Sequence, residues 1–115
     1  MVKKLVHLEG LVMFLAMIYI YSVYDFNWWL FLLLVLAPDV SMVAYLINNQ
    51  VGSKIYNLFH TYTISVFIIL VGFFLQLEVF LIIGLIWTAH IGMDRLFGYG
   101  LKYSTSFQDT HFQRL

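Results

Sequence analysis

The sequence has no cysteine, one proline in 115 residues, and few charges, with only 10% Asp, Glu, Lys and Arg. Without cysteine, disulfide bonds and thiolate metal sites are excluded. Six basic and six acidic residues leave no net charge, so the basic excess of a nucleic-acid-binding protein is missing. Because 63% of the residues are hydrophobic, a domain this short could not bury them all in water. We therefore expect the chain to lie in a lipid bilayer.

Apolar segments predict the fold. A transmembrane helix needs about 20 mostly apolar residues, and four segments reach or approach that length. The prediction is an all-α integral membrane bundle of four transmembrane helices, forming a single domain over residues 1–115. The helices are expected at about 5–24, 28–47, 55–76 and 79–97, with Pro38 kinking the second helix and a turn at 48–53 before the third. A short tail, 98–115, is expected to fold back on the bundle.

Basic residues predict the orientation of this bundle. In the predicted topology they all fall on the side that holds both termini: Lys3, Lys4, Lys54, Arg95, Lys102 and Arg114. By the positive-inside rule, that side is cytoplasmic. The tail and both termini would then lie in the cytoplasm.

Ionisable residues inside the predicted helices are the most informative feature, because a charge at bilayer depth costs at least about 2.5–3.5 kcal/mol. At a rise of 1.5 Å per residue, four of them lie roughly 5–13 Å from the cytoplasmic helix ends: Asp39, His60, His90 and Asp94. Glu9 lies at a similar depth in the first helix. His90 and Asp94 are four residues apart and share a helix face. We expect these side chains to converge in one buried cluster that opens to the cytoplasm.

This set of side chains predicts a metal site. Imidazole and carboxylate donors without cysteine suit Zn²⁺, Mn²⁺ or Fe²⁺. The predicted ligands are the four helical residues together with a histidine in the tail: Asp39, His60, His90, Asp94 and His111. The competing interpretation is structural, with His90 and Asp94 satisfying each other and holding helices together.

Other polar residues near the cluster are candidates for supporting roles. Asp109 and Glu9 are spare carboxylates that could serve as a general base. Arg95 and Lys102 are candidates for binding a phosphate or carboxylate of a substrate, and Asn57 is a further substrate-binding candidate.

Six motifs carry a family resemblance: L-E-G at 8–10, A-P-D-x-S-M at 37–42, Y-N-x-x-H at 56–60, H-I-G-x-D-R at 90–95, G-Y-G-L-K-Y at 98–103 and D-T-H at 109–111. Together they resemble the small bacterial membrane proteins of domain-of-unknown-function family 4260, over essentially the whole chain. The resemblance implies a four-helix protein of the bacterial inner membrane and no particular activity.

A fainter likeness connects the same polar residues with membrane-bound metal-dependent hydrolases. Pro38-Asp39, His60-Thr61 and the His90…Asp94 pair follow the order of elements in that family. The H-R-G-x-T-H-S element of those proteins is reduced here to a single histidine, His60. The likeness favours a hydrolytic metal site.

Three functions remain open from the sequence. The first is a metal-dependent hydrolase acting on a lipid or amphiphile. The second is a small proton-coupled multidrug-type transporter, in which Glu9 couples proton movement to export. The third is a non-enzymatic membrane protein whose polar layer makes helix packing specific. Four short helices enclose little volume, so a second copy of the chain could help to form the site. A homodimer is therefore compatible with all three functions.

Overall fold

The computed structural model describes residues 2–39, 46–98, 100–101 and 110. Five helices account for most of them: α1 Val2–Val23, α2 Trp28–Leu34, α3 Asn49–Phe59, α4 Tyr62–Phe74 and α5 Glu78–Phe97. The predicted all-α class is confirmed.

Three segments of the described chain are long and apolar enough to cross a membrane: Val2–Val23, Asn49–Phe74 and Glu78–Phe97. A shorter apolar segment covers Trp28–Asp39. The outer surface carries large apolar side chains, such as Trp29 and Leu33, which are 74% and 75% exposed. Such a surface suits lipid better than water, which indicates a membrane protein. The orientation in the membrane stays a prediction.

The bounds of α2 and α3 differ from those expected. α2 ends at Leu34, and residues 37–39 form a 3₁₀ turn. Pro38 lies in this turn, because it lacks the N–H that would bond to the Leu34 carbonyl in an α-helix. Residues 40–45 of the expected helix lie outside the described part of the chain. α3 begins at Asn49, inside the expected turn, because the Asn48 side chain accepts a hydrogen bond from the Val51 amide at 2.7 Å and caps the helix.

The helix expected over 55–76 is divided at His60 and Thr61. A helix that ends at this depth leaves carbonyl groups without helical partners, and lipid offers them none. Two side chains of α5 supply the missing donors. The Trp87 indole donates to the Phe59 carbonyl at 2.5 Å, and the Arg95 guanidinium donates to the His60 carbonyl at 2.9 Å. The break is therefore a stabilised feature of the fold.

α5 is the central helix and packs antiparallel against α1 and α4. Glycines make the contact with α1 close: a Cβ atom at Gly10 would lie 2.5 Å from Arg95 Cβ, and one at Gly92 would lie 2.8 Å from the Phe14 amide nitrogen. Small residues of this kind let two helix backbones approach in a membrane. The close contact buries the part of α5 on which His90 lies.

Candidate metal centre

Four ionisable side chains meet beside the broken helix. Asp39 follows α2, His60 caps the C-terminus of α3, and His90 and Asp94 lie one turn apart on α5. One donor atom from each lies within 4.8 Å of the other three. The convergence predicted from the sequence is confirmed for these four residues, and it produces a group that could hold a metal ion.

The donor atoms lie close to one another. His60 Nε2 and His90 Nε2 are 3.2 Å apart, and Asp39 Oδ1 lies 3.1 Å from each. Asp94 Oδ2 lies 3.4 Å from His60 Nε2 and 3.2 Å from His90 Nε2. Four donors arranged tetrahedrally at about 2.0–2.1 Å from an ion are themselves roughly 3.3 Å apart. Five of the six separations are therefore close to the edges of such a tetrahedron, and the sixth, between the carboxylate oxygens of Asp39 and Asp94, is within 4.8 Å.

The histidine rings present their Nε2 atoms to the cluster. His60 Nδ1 lies 2.9 Å from the Tyr56 carbonyl, which can only accept, so Nδ1 carries the proton and a neutral ring has its lone pair on Nε2. The His90 ring lies near the Val35 backbone, although its Nδ1 has no partner of usual hydrogen-bond geometry among the described residues. A metal-binding histidine commonly donates its outer N–H to a backbone carbonyl, as His60 does.

A buried aromatic ring fixes the orientation of His60. The rings of Tyr56 and His60 stack with centroids 3.8 Å apart and planes within 4° of parallel. This role of Tyr56 was not predicted from the sequence. Its signal was present, because residues four apart lie on one helix face and Tyr56 begins the Y-N-x-x-H motif.

Burial and charge both favour a cation in the cluster. The side chains of His60 and His90 are fully buried, that of Asp94 is 10% exposed, and that of Asp39 is 34% exposed. Two carboxylates this close repel each other in a medium of low dielectric constant unless positive charge lies between them. A divalent cation between two carboxylates and two neutral imidazoles gives a neutral centre, the state least costly to bury.

The remaining candidates differ in what the structure shows of them. Glu9 is exposed on α1 and is not in the four-residue group, so its predicted place in the cluster is wrong. Asn57 lies on α3, one turn before His60. Arg95 is buried; its guanidinium binds the His60 carbonyl and lies 5.9 Å from the centre of the Tyr62 ring. Three candidates lie outside the described residues: Lys102, Asp109 and His111.

Comparison with known families agrees with the motifs. The family model described as "Domain of unknown function (DUF4260)" matches residues 3–115. The chain therefore belongs to this family. No curated protein and no solved structure gives a match. The fainter likeness to membrane-bound metal-dependent hydrolases is not among these findings and stays a prediction.

Proposed function

We propose that this member of the DUF4260 family is a membrane metalloprotein that binds one divalent transition metal ion, Zn²⁺, Mn²⁺ or Fe²⁺. The predicted ligands are His60, His90 and Asp94, with Asp39 beside them at the fourth position. The observation that supports this most strongly is the set of five donor separations of 3.1–3.4 Å among these four residues. His111 remains a further predicted ligand from the tail.

Hydrogen bonding alone accounts poorly for this geometry. His60 Nε2 has the donor atoms of Asp39, His90 and Asp94 all within 3.4 Å. A ring nitrogen either donates one proton or offers one lone pair, so it can satisfy only one of these neighbours. The other contacts would bring unpaired lone pairs together in a buried site. A central cation satisfies all of them at once.

We propose further that the centre is catalytic and hydrolyses a lipid or amphiphile. Catalytic zinc sites have three protein ligands and a fourth position for water or substrate, whereas structural sites are closed by four. Here His60, His90 and Asp94 are the buried donors, while Asp39 lies on a turn at the exposed side. When bound, the ion would polarise a substrate and activate water.

Asp39 is suited to a second role in this reaction. Its carboxylate is the most exposed of the four donors, so an arriving substrate meets it first. A carboxylate within hydrogen-bond reach of the attacking water can accept its proton as a general base. Glu9, on which the proton-coupled transporter hypothesis depends, is exposed on α1 and outside the cluster.

The position of the centre along α5 supports access from one side of the bilayer. His90 lies seven residues before the end of α5 at Phe97, which corresponds to about 10 Å at 1.5 Å per residue. That end belongs to the side on which the positive-inside rule places the cytoplasm. The proposed substrate is therefore a lipid or amphiphile of the cytoplasmic leaflet.

Elemental analysis tests the metal site. Protein purified without chelator or histidine tag, from cells supplied with Zn²⁺, Mn²⁺ and Fe²⁺, should contain close to one ion per chain. His90→Ala and Asp94→Asn should lose it, and His7→Ala is the matched histidine control, because His7 binds the Leu96 carbonyl outside the cluster. Wild-type protein without transition metal would overturn the proposal.

A second measurement separates a catalytic from a structural centre. The metal-loaded protein in vesicles of extracted bacterial lipid should release water-soluble headgroups or free fatty acids, followed by mass spectrometry. Protein with His90→Ala should release none. A fully loaded wild type that leaves every lipid intact would overturn the catalytic assignment, and the ion would then hold α3 to α5.

A further inference from the structure

An apolar groove of about 280 Å³ lies beside the metal centre. Its wall includes Pro38, which precedes Asp39 in the sequence, and Phe59, which precedes His60. Trp87, also in the wall, lies on α5 one turn before His90. The groove and the centre are therefore formed by the same three parts of the chain.

The groove is lined for an apolar occupant. The indole N–H of Trp87 and the carbonyl of Phe59 are bonded to each other, and their rings stack with centroids 5.5 Å apart. The other described wall residues have aliphatic side chains, such as Leu34, Ala37 and Ile83. The volume is close to the lower limit of small-molecule sites, roughly 300–1,000 Å³, which suits one slender chain better than a bulky ligand.

The groove is open on the side that faces lipid. Leu34, Phe59 and Ile83 in its wall are 37–41% exposed, so an alkyl chain can enter sideways from the hydrocarbon region of the bilayer. Because Pro38 in the wall is followed directly by Asp39, the polar end of such a molecule would lie beside this most exposed donor. A water-soluble substrate would gain nothing from this surface.

We propose that the groove binds the alkyl chain of a single-chain amphiphile and brings its polar end to the metal centre. The proposal rests on the proposed function and adds the means by which a lipid-like substrate is selected and aligned. Binding in a defined groove is saturable, whereas contact with bulk lipid increases in proportion to its concentration. This difference makes the proposal testable without knowledge of the reaction.

Tryptophan fluorescence distinguishes the two kinds of contact, because the chain has three tryptophans and only Trp87 lines the groove. The double variant Trp28→Phe/Trp29→Phe keeps Trp87 as the sole reporter. The control, Trp28→Phe/Trp87→Phe, keeps Trp29, which is 74% exposed on the outer surface. Each is placed in phosphatidylcholine vesicles and titrated with terminally brominated dodecanoic acid, whose bromine quenches tryptophan on contact.

We expect quenching of Trp87 to saturate at a low mole fraction of the probe, while quenching of Trp29 rises in proportion to it. Adding Ala37→Phe to the Trp87 reporter should fill the groove and raise the half-saturating mole fraction at least about tenfold. Leu36→Phe is the matched control, because its side chain is exposed and outside the groove. Proportional quenching of Trp87, or saturation unchanged by Ala37→Phe, would overturn the groove proposal.

Metal content measured on the same samples separates this proposal from the proposed function. Loss of saturable quenching in Ala37→Phe with the ion retained supports the groove as the binding site. If quenching is saturable but the wild-type protein contains no metal, the groove is supported and the metal centre is refuted. The alignment of the amphiphile toward a metal is then refuted as well. Bound metal with proportional quenching refutes the groove alone.

Discussion

His60 and His90 approach to 3.2 Å between their Nε2 atoms, although they are 30 residues apart and lie on different helices. His60 lies where α3 ends, and hydrogen bonds from Trp87 and Arg95 of α5 stabilise this end. The same bonds hold the end of α3 beside the helix that carries His90. His60 already uses its outer nitrogen to donate to the Tyr56 carbonyl. Two ring nitrogens at this distance repel unless a proton or cation lies between them. The contact therefore links the shape of the broken helix to the proposed binding of an ion.

Removal of the ion should destabilise the protein. An ion that binds only the folded chain adds about 2.7 kcal/mol of stability at a free concentration of 100 times its Kd. We therefore expect a chelator to lower the unfolding temperature of the wild type in detergent, measured by circular dichroism. The His90→Ala variant should have the same unfolding temperature with and without chelator. Equal chelator effects on the wild type and this variant would contradict the prediction.

Tyr56 should tune metal affinity through the ring of His60. Tyr56→Leu removes the stacked ring, so His60 loses the surface that fixes its orientation. We expect metal affinity to fall about tenfold, within the usual range for residues that support metal ligands. Tyr56→Phe keeps the ring and should stay close to the wild type. Competition with a fluorescent chelator measures both, and equal affinities of the Leu and Phe variants would count against the role of the stack.

The sequence predicted the four residues that form the cluster, and wrongly added Glu9, but it did not predict how the backbone brings the four together. Depth along each helix and the four-residue spacing of His90 and Asp94 were enough to predict convergence. The break at His60 was not predictable, because nothing in the local run from Tyr56 to Thr61 opposes a continuous helix strongly. The break depends on donors from α5, which are 28 and 35 residues distant. Such tertiary contacts override the helical preference of the local sequence.

Arg95 shows the same limit for a single residue. From the sequence it was a candidate for binding a substrate anion near the membrane surface. In the fold it is only 6% exposed, and its guanidinium donates to the His60 carbonyl. A positive charge at the C-terminus of α3 also complements the negative end of the helix dipole. Arg95 therefore stabilises the C-terminus of α3, where His60 lies.

Loss of the Arg95 guanidinium should destabilise the helix break. Arg95→Met keeps much of the apolar length but leaves the His60 carbonyl unsatisfied, which costs about 1–3 kcal/mol in a buried site. Arg95→Lys, which retains a charged donor, should recover part of this loss. Reversible unfolding in mixed detergent micelles gives the free energies. If the Arg95→Met and Arg95→Lys variants have equal free energies of unfolding, the hydrogen bond to the His60 carbonyl contributes nothing measurable to stability.

Close packing of α1 against α5 should be sensitive to one methyl group at Gly92. In Gly92→Ala the added Cβ would lie 2.8 Å from the Phe14 amide nitrogen and 2.9 Å from the Gly10 carbonyl oxygen. Backbone atoms cannot move aside locally, so the helices must separate at a cost of about 1–3 kcal/mol. Val12→Leu, on the exposed face of α1, should leave unfolding unchanged. A Gly92→Ala variant as stable as this control would contradict the packing described.

Asp39 should be more important for reaction than for retention of the ion. The other three donors are at most 10% exposed and lie on or at the ends of helices, whereas Asp39 is 34% exposed on a turn. Three protein ligands are enough to hold a catalytic zinc ion. We therefore expect Asp39→Ala to keep most of the metal found in the wild type, and Asp94→Ala to lose it.

The two variants should also differ in activity per bound ion, assayed as lipid hydrolysis by mass spectrometry. General bases typically contribute about 10²–10⁴-fold to rate, so metal-loaded Asp39→Ala should be slower by at least about two orders of magnitude. Asp39→Glu restores a carboxylate and should recover part of the rate. If Asp39→Ala instead loses its ion as completely as Asp94→Ala, all four residues are obligatory ligands. The geometry would then describe a closed, structural centre, since no position would remain for water or substrate.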